Sequence, residues 1–130
     1  LWKSYLDFYE CALSDDVTAA TWNRFHDDSE RMHILAVYED EQMLGFVTYV
    51  MHGSTWSIRP YCYLEDLFVD SRYRSKGLAR KLIEAVADAA RSAQCERVYW
   101  VTKESNKTAQ FLYNKVAKQM DFIQYRMEFG

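Results

Sequence analysis

From Tyr61 to Val69 the chain is almost continuously apolar, broken only by Glu65 and Asp66, and at Gly77 a different period takes over. Between Gly77 and Ala93 the residues Leu78, Leu82, Ile83, Val86, Ala89 and Ala90 form one helical stripe, with Arg80, Lys81, Glu84, Asp88 and Arg91 opposite. Arg97–Val101 is strand-like again. A strand apolar at nearly every position suits the middle of a sheet, buried on both faces. Strand, helix and strand in this order make a β-α-β unit, whose two strands run parallel and whose crossover has a fixed hand. No other feature of the sequence restricts the fold as much.

The rest of the chain is read around that unit. Ile34–Tyr38 and Leu44–Met51, separated by Glu39-Asp40-Glu41-Gln42, predict an antiparallel hairpin. Gly53–Pro60 reads as a loop. Leu1, Tyr5, Phe8, Tyr9 and Leu13 fall at helical spacing, and Val17, Ala20, Trp22 and Phe25 mark a second short helix. Asn106–Lys118 is a further helix, with Asn106 as its cap and Ala109, Leu112 and Val116 inward. Phe122–Phe129 alternates and is expected to close the sheet. The predicted class is α/β: a mixed sheet with antiparallel N-terminal strands, a β-α-β unit and helices on both faces. With 130 residues, no internal repeat and few Gly or Pro for linkers, residues 1–130 are expected to form one domain.

Charge and composition exclude several function classes. Sixteen basic against 19 acidic residues give a net charge of −3, the wrong sign for nonspecific nucleic-acid binding. No apolar run approaches the roughly 18 residues of a membrane span, and no signal peptide is evident. No membrane partner and a cytoplasmic location are therefore expected. Cys11, Cys62 and Cys95 form no C-x-x-C pair, and His26, His33 and His52 lack metal-ligand spacing. A reducing compartment and no metal follow as expectations.

Chemistry concentrates where the apolar strand meets the helix, in Asp70-Ser71-Arg72-Tyr73-Arg74-Ser75-Lys76-Gly77-Leu78-Ala79. The first N–H groups of a helix lack internal partners and favour an anion. Gly77 and Ala79 keep that approach open, and Arg72, Arg74, Lys76, Arg80 and Lys81 supply positive charge. This is a cradle for a phosphate or pyrophosphate. Neither the Walker pattern nor G-x-G-x-x-G is present. On the motif alone, a solvated basic helix start is an equal alternative.

The wider context resembles a known family. Tyr63–Asp70 followed by Arg74–Ala79 resembles the acetyl-CoA signature of the GNAT N-acetyltransferase superfamily, Arg/Gln-x-x-Gly-x-Gly/Ala at the head of a helix that follows a strand. Val98-Tyr99-Trp100 and Asn106–Tyr113 resemble its next strand and its Asn…Tyr helix, so the likeness runs from Met32 to Met127. More narrowly, His52–Trp56, Cys62–Val69 and Val98–Thr102 resemble the branch of yeast histone-and-other-protein acetyltransferases and their bacterial relatives. Ser75, Ala79 and Asp121 stand where relatives often have Gly. The usual first strand is expected upstream of Leu1.

The resemblance implies transfer of an acetyl group from acetyl-CoA, as co-substrate, to an amine. Backbone amides of Arg74, Ser75, Lys76, Gly77, Leu78 and Ala79 would hold the pyrophosphate. The main chain of Leu67, Phe68 and Val69 would pair with the pantetheine arm, where the parallel strands splay after Val69. Asn106 would hydrogen-bond the pantetheine, cap its helix, or both. Tyr113 would be the general acid for the leaving thiolate; packing against Phe111 or Val116 is the alternative. Glu65 would be the base, since related polyamine acetyltransferases carry a carboxylate in the matching Leu-Glu-Asp triplet. A primary alkylamine, with a pKa near 10.4, arrives protonated and must lose a proton before it attacks.

Glu65 and Asp66 are expected on opposite faces of the strand, with Tyr61 and Tyr63 on the face of Glu65. His52, Tyr63 and Asp66 are weaker candidates for the acceptor side. The expected acceptor is a primary amine of a small molecule, polyamine or amino-acid-like. A protein lysine, and a CoA-binding sensor without turnover, stay open as alternatives. Ile123–Phe129, as an edge strand, makes a homodimer conceivable.

Overall fold

The computed structural model describes residues 31–39, 42–74 and 77–129. The two N-terminal helices expected before Met32, and the side chains of Ser75 and Lys76, lie outside the described residues. Four strands form one sheet in the order β1 (Met32–Glu39), β2 (Gln42–Ser54), β3 (Ser57–Val69) and β4 (Arg97–Tyr99). The first three make an antiparallel meander, and β4 lies parallel to β3. Helix α1 (Leu78–Ser92) provides the crossover from β3 to β4, and α2 (Lys107–Val116) follows β4. This is the expected mixed α/β sheet with its β-α-β unit.

Register sorts the side chains onto two faces. Val47 faces Leu67, Tyr49 faces Leu64 and Met51 faces Cys62 across the β2–β3 ladder. These belong to the core under α1, where Leu82, Ile83, Val86 and Ala90 are buried. That set is the apolar stripe of the sequence, so amphipathic period alone placed the helix. Val47, Cys62 and Val86 have no exposed surface, and each buried side chain of this size contributes about 1.5–3 kcal/mol. The opposite face carries Phe46, Thr48 and His52 of β2, Tyr63, Asp66 and Phe68 of β3, and Tyr99 of β4.

The backbone turns at α1 are specific. Its N-cap is Gly77 at φ 76°, a left-handed conformation that L side chains adopt at a cost. Past its C-terminus, Gln94 takes φ 59° while the Cys95 N–H donates to the Ala90 carbonyl at 2.8 Å. Gly45 serves another need. A Cβ there would lie 2.9 Å from the Phe68 carbonyl oxygen, so β2 and β3 approach closely at that rung.

Several expectations are corrected. Gly53–Pro60 is not a loop: β2 runs to Ser54 and β3 starts at Ser57, leaving Thr55-Trp56 as a two-residue turn. The polar residues there belong to an exposed hairpin tip, where Trp56 is 89% accessible, and polarity was mistaken for irregularity. Strand β4 ends at Tyr99 instead of Val101, and α2 ends at Val116 instead of Lys118.

Residues 122–129 pair with no described strand, and Phe122, Tyr125 and Phe129 are exposed. Alternation supplies a face, but a strand also needs a neighbour for its N–H and C=O groups. Tyr99 is the last rung that β4 offers. The edge strand on which the homodimer expectation rested is therefore absent among the described residues.

Candidate active site

The site begins where the sheet opens. Parallel pairing of β3 with β4 consists of Tyr61–Arg97, Cys62–Val98 and Tyr63–Tyr99, and then ends. The split therefore starts at Tyr63, not after Val69 as expected. From Leu64 to Val69, β3 keeps its ladder with β2 but has no described strand on its other edge. Leu67, Phe68 and Val69 all lie along this open edge. One of their groups is already engaged: the Val69 carbonyl accepts from Arg74 Nε at 3.1 Å.

At the vertex of the split the strand carries an extra residue. Asp66 pairs with Thr48 and Leu64 with Tyr49, which leaves Glu65 without a partner in the ladder. This is a β-bulge, and it shifts the alternation by one. Asp66, not Glu65, therefore falls on the face of Tyr63, in contrast to the expected pattern. The Thr48 hydroxyl donates to the Asp66 carboxylate at 2.5 Å, and the Asp66 N–H donates back to Thr48 Oγ1 at 3.1 Å. Glu65 is exposed by position. Its carboxyl is still partly desolvated, and burial, followed by the charge of Asp66, pushes its pKa up. The Tyr63 phenol is pushed up by burial and then by Glu65, Tyr99 and Asp66, with Arg126 acting in the opposite direction. Both carboxylates thus act on the same corner.

The loop after β3 turns back over the strand. Asp70 accepts from the Arg72 N–H and pairs with the Arg72 guanidinium at 3.1 Å, and this hydrogen bonding holds the Asp70 carboxyl below its ordinary range. Arg74 lies over the Phe68 ring, 5.4 Å from its centroid. Arg80 pairs with Glu84 at 3.1 Å. The basic cluster is therefore partly engaged within the chain. Ion pairs this open to solvent are weak, and a phosphate could compete for the same cations. Among the described residues no side chain caps α1, which leaves the first amides after Gly77 able to receive an anion.

Beyond the vertex, Thr102 Oγ1 is buried without a hydrogen-bond partner among the described residues. Asn106 caps α2, its Oδ1 accepting from the Ala109 N–H at 3.4 Å; its amide NH2 is the group that could serve a ligand. The capping role is therefore real. Open strand edge, uncapped helix start and orphaned hydroxyl fit an extended ligand with an anionic head and a polar amide arm. That is the shape and chemistry of CoA.

Tyr113 stands on the α1 side of the sheet. Its ring meets Trp100 edge-on at 5.4 Å and, like Val116, packs against the core. On the other face, His52 Nε2 lies 2.6 Å from the Tyr99 hydroxyl, and Nδ1 lies 2.8 Å from the Gly53 carbonyl oxygen. Tyr63 and Tyr99 have ring centroids 5.0 Å apart. Tyr99 and Thr102 were missed as site residues in the sequence. Tyr99 becomes visible only once the parallel register sets it beside Tyr63. Burial pushes the Cys62 thiol up to about 11, with Cys95 adding to it. At neutral pH such a thiol stays protonated and packs as core, so it is no nucleophile. The Cys95 thiol is also pushed up by burial.

Known proteins resemble this chain in sequence and in fold. Residues 1–117 match the acetyltransferase (GNAT) family. The chain is 36% identical over 128 residues to the D-amino-acid N-acetyltransferase HPA3 of Saccharomyces cerevisiae, covering 97% of this chain and 80% of that protein. It is 28% identical to a thialysine N-epsilon-acetyltransferase of Caenorhabditis elegans, over 92% of this chain and 78% of that protein. Among solved structures, the aminoglycoside acetyltransferase AAC(6')-Iy, in complex with a CoA bisubstrate analogue, superposes with a TM-score of 0.80. The match covers 98% of this chain and 90% of that one at 20% identity, and so speaks for the fold alone. The chain belongs to the acetyltransferase (GNAT) family and is an acetyl-CoA-dependent N-acetyltransferase.

Proposed function

We propose that this enzyme acetylates the primary amine of a small cationic molecule, amino-acid-like or polyamine, by direct attack on the thioester. The observation that carries the reading is the Tyr63–Tyr99 vertex, where an open strand edge ends beside the Glu65 bulge and Asp66. Those carboxylates attract an ammonium. The relatives named above act on D-amino acids and thialysine, and another, 30% identical over 68% of this chain, is an L-ornithine N5-acetyltransferase of Arabidopsis thaliana.

In this reading acetyl-CoA lies along the opened edge of β3. The amides following Gly77 hold the pyrophosphate, and Arg74, Ser75 and Lys76 lead into that cradle. Main-chain groups of Leu67 and Phe68 pair with the pantetheine arm as a strand would, and the Asn106 amide assists. Glu65 takes a proton from the arriving ammonium; its raised pKa brings it closer to the task than an ordinary carboxylate. His52, Tyr63 and Asp66 line the acceptor side. Tyr113 gives its proton to the departing sulfur. A thiol pKa of about 8.5 and a phenol pKa of about 10 are close enough for that transfer, and the hydrogen bond alone would stabilise the developing charge.

The test is thiol release from acetyl-CoA by the purified protein against spermidine, ornithine, amino acids of both hands, aminoglycosides and histone-tail peptides. Release with small amines supports the reading. Release only with peptides replaces it with protein-lysine acetylation. Calorimetric binding of CoA with no release from any amine leaves a sensor. Tyr113→Phe should keep CoA affinity and lose about 100-fold in kcat; unchanged turnover would remove Tyr113 from the mechanism.

A further inference from the structure

An alkylammonium carries three protons on nitrogen, and the amide product carries one. Two protons must therefore leave the nitrogen. Glu65 accounts for the first, before attack. Tyr113 supplies the sulfur from the α1 side of the sheet, whereas Asp66, which helps draw the amine, lies on the opposite face. The second proton needs an acceptor on the amine's own side.

That face holds such a group, used in neither step above. His52 on β2 and Tyr99 on β4 meet across β3, with Nε2 and the phenol oxygen 2.6 Å apart. The Gly53 carbonyl, 2.8 Å from Nδ1, can only accept, so Nδ1 carries a hydrogen. In the neutral ring Nε2 is then the acceptor, and Tyr99 donates to it. The hydrogen bonds run one way, from Tyr99 through His52 to Gly53. The Tyr99 oxygen keeps lone pairs for a further donor. Tyr99 forms the last rung before the split, is 37% exposed, and lies against Tyr63, whose phenol senses Glu65 and Asp66. Edge-on contacts of His52 with Tyr61 and Tyr99, both at 5.7 Å, fix the imidazole in place.

We infer that Tyr99 and His52 form a relay that receives the second proton of the acceptor amine, an inference that rests on the acetyl-transfer reading above. As the nitrogen bonds to the carbonyl carbon, its surplus N–H bond breaks and the proton passes to the Tyr99 oxygen. The Tyr99 O–H bond breaks in the same event, and its proton passes to His52 Nε2. Tyr99 ends neutral. His52 ends as imidazolium, still donating to Gly53, and returns its proton to water. Tyr99 touches the amine and is the catalytic residue; His52 acts through it.

The experiment compares the parent enzyme with Tyr99→Phe, which keeps the ring and removes the hydroxyl, and His52→Ala, with and without added imidazole. Kinetics use the best amine of the panel at saturating acetyl-CoA, and calorimetric CoA affinity reports an intact fold. Each substitution is expected to lower kcat about 100-fold while CoA affinity stays within twofold. Imidazole is expected to restore His52→Ala and not Tyr99→Phe, a split that a merely structural role does not produce. A Tyr99→Phe enzyme with kcat within threefold of an active parent overturns the relay alone. So does a folded His52→Ala enzyme that imidazole leaves unchanged. A parent that binds CoA and releases no thiol with any amine overturns the acetyl-transfer reading, and the relay with it.

Discussion

Two adjoining parts of β3 both send side chains into the core and have opposite surroundings. From Tyr61 to Tyr63 the strand has a neighbour on each edge; from Leu64 to Val69 it has one. Cys62 in the first half has no exposed surface, and Phe68 and Val69 in the second are also buried. Side-chain burial is therefore alike, and the difference lies in the backbone. The closed half uses its main-chain groups on both edges to build the sheet; the open half uses those facing β2, and on the proposed reading its other edge receives a ligand. An apolar strand can be core through its side chains and a binding edge through its amides, with no residue type marking the switch.

Substitutions of a core side chain and of the backbone around the open edge should separate stability from binding. Leu64→Ala, at a position 4% exposed under α1, should destabilise the protein by about 2–5 kcal/mol. CoA affinity of the folded fraction should not change; denaturant unfolding and calorimetry check both, and a weakened affinity would dissolve the distinction. Gly45→Ala should cost about 1–3 kcal/mol, because its Cβ meets backbone at Phe68. Here CoA binding should weaken as well, since the displaced backbone is the open edge. Gly77→Ala meets no atom within 4 Å but must hold φ 76°. A cost of about 1–2 kcal/mol is expected from that strain alone, with CoA affinity reduced and amine KM unchanged.

Glu65→Gln should have the smallest effect on stability and the clearest effect on pH dependence. The folded-state pKa of Glu65 is raised, so the folded protein holds this proton better than the unfolded chain does. Ionised Glu65 therefore opposes folding above its folded pKa, and the opposition fades as pH falls toward the unfolded value. The Gln variant should be slightly the more stable at neutral pH and should lose that advantage in acid. In kinetics the parent should gain activity as pH rises through the raised pKa, and the variant should lose that limb. A matching pH–rate profile would remove Glu65 as the base.

Much of this was legible in the sequence because it rests on local periodicity. The stripe from Leu82 to Ala90, the Asn106 cap and the Gly77 turn each follow from spacing or from one residue's conformational needs. The proposed cofactor edge and the proposed acid Tyr113 rest on a motif likeness. What was hidden depends on register. One unpaired residue, Glu65, reassigned Asp66 to the face of Tyr63, and no alternation rule announces a bulge. Tyr99 gained its role from a parallel neighbour on a distant strand. Phe122–Phe129 had a strand's pattern and no strand's partner. The basic loop suggested more available charge than exists, because Asp70 and Glu84 already hold Arg72 and Arg80.

The bulge has a consequence for how such an enzyme can change. Glu65 faces no residue across the ladder, so its side chain is under no obligation to the sheet. On the proposed reading, exchanging it alters the charge beside the acceptor amine and leaves the β2–β3 alignment as it was. Deleting it would make Leu64 and Asp66 neighbours opposite Tyr49 and Thr48, so both ladders would keep their partners and only the bulge would vanish. The sheet therefore constrains neither the identity of residue 65 nor its presence. Whatever keeps a carboxylate there is owed to the chemistry of the amine and not to the packing of the strands.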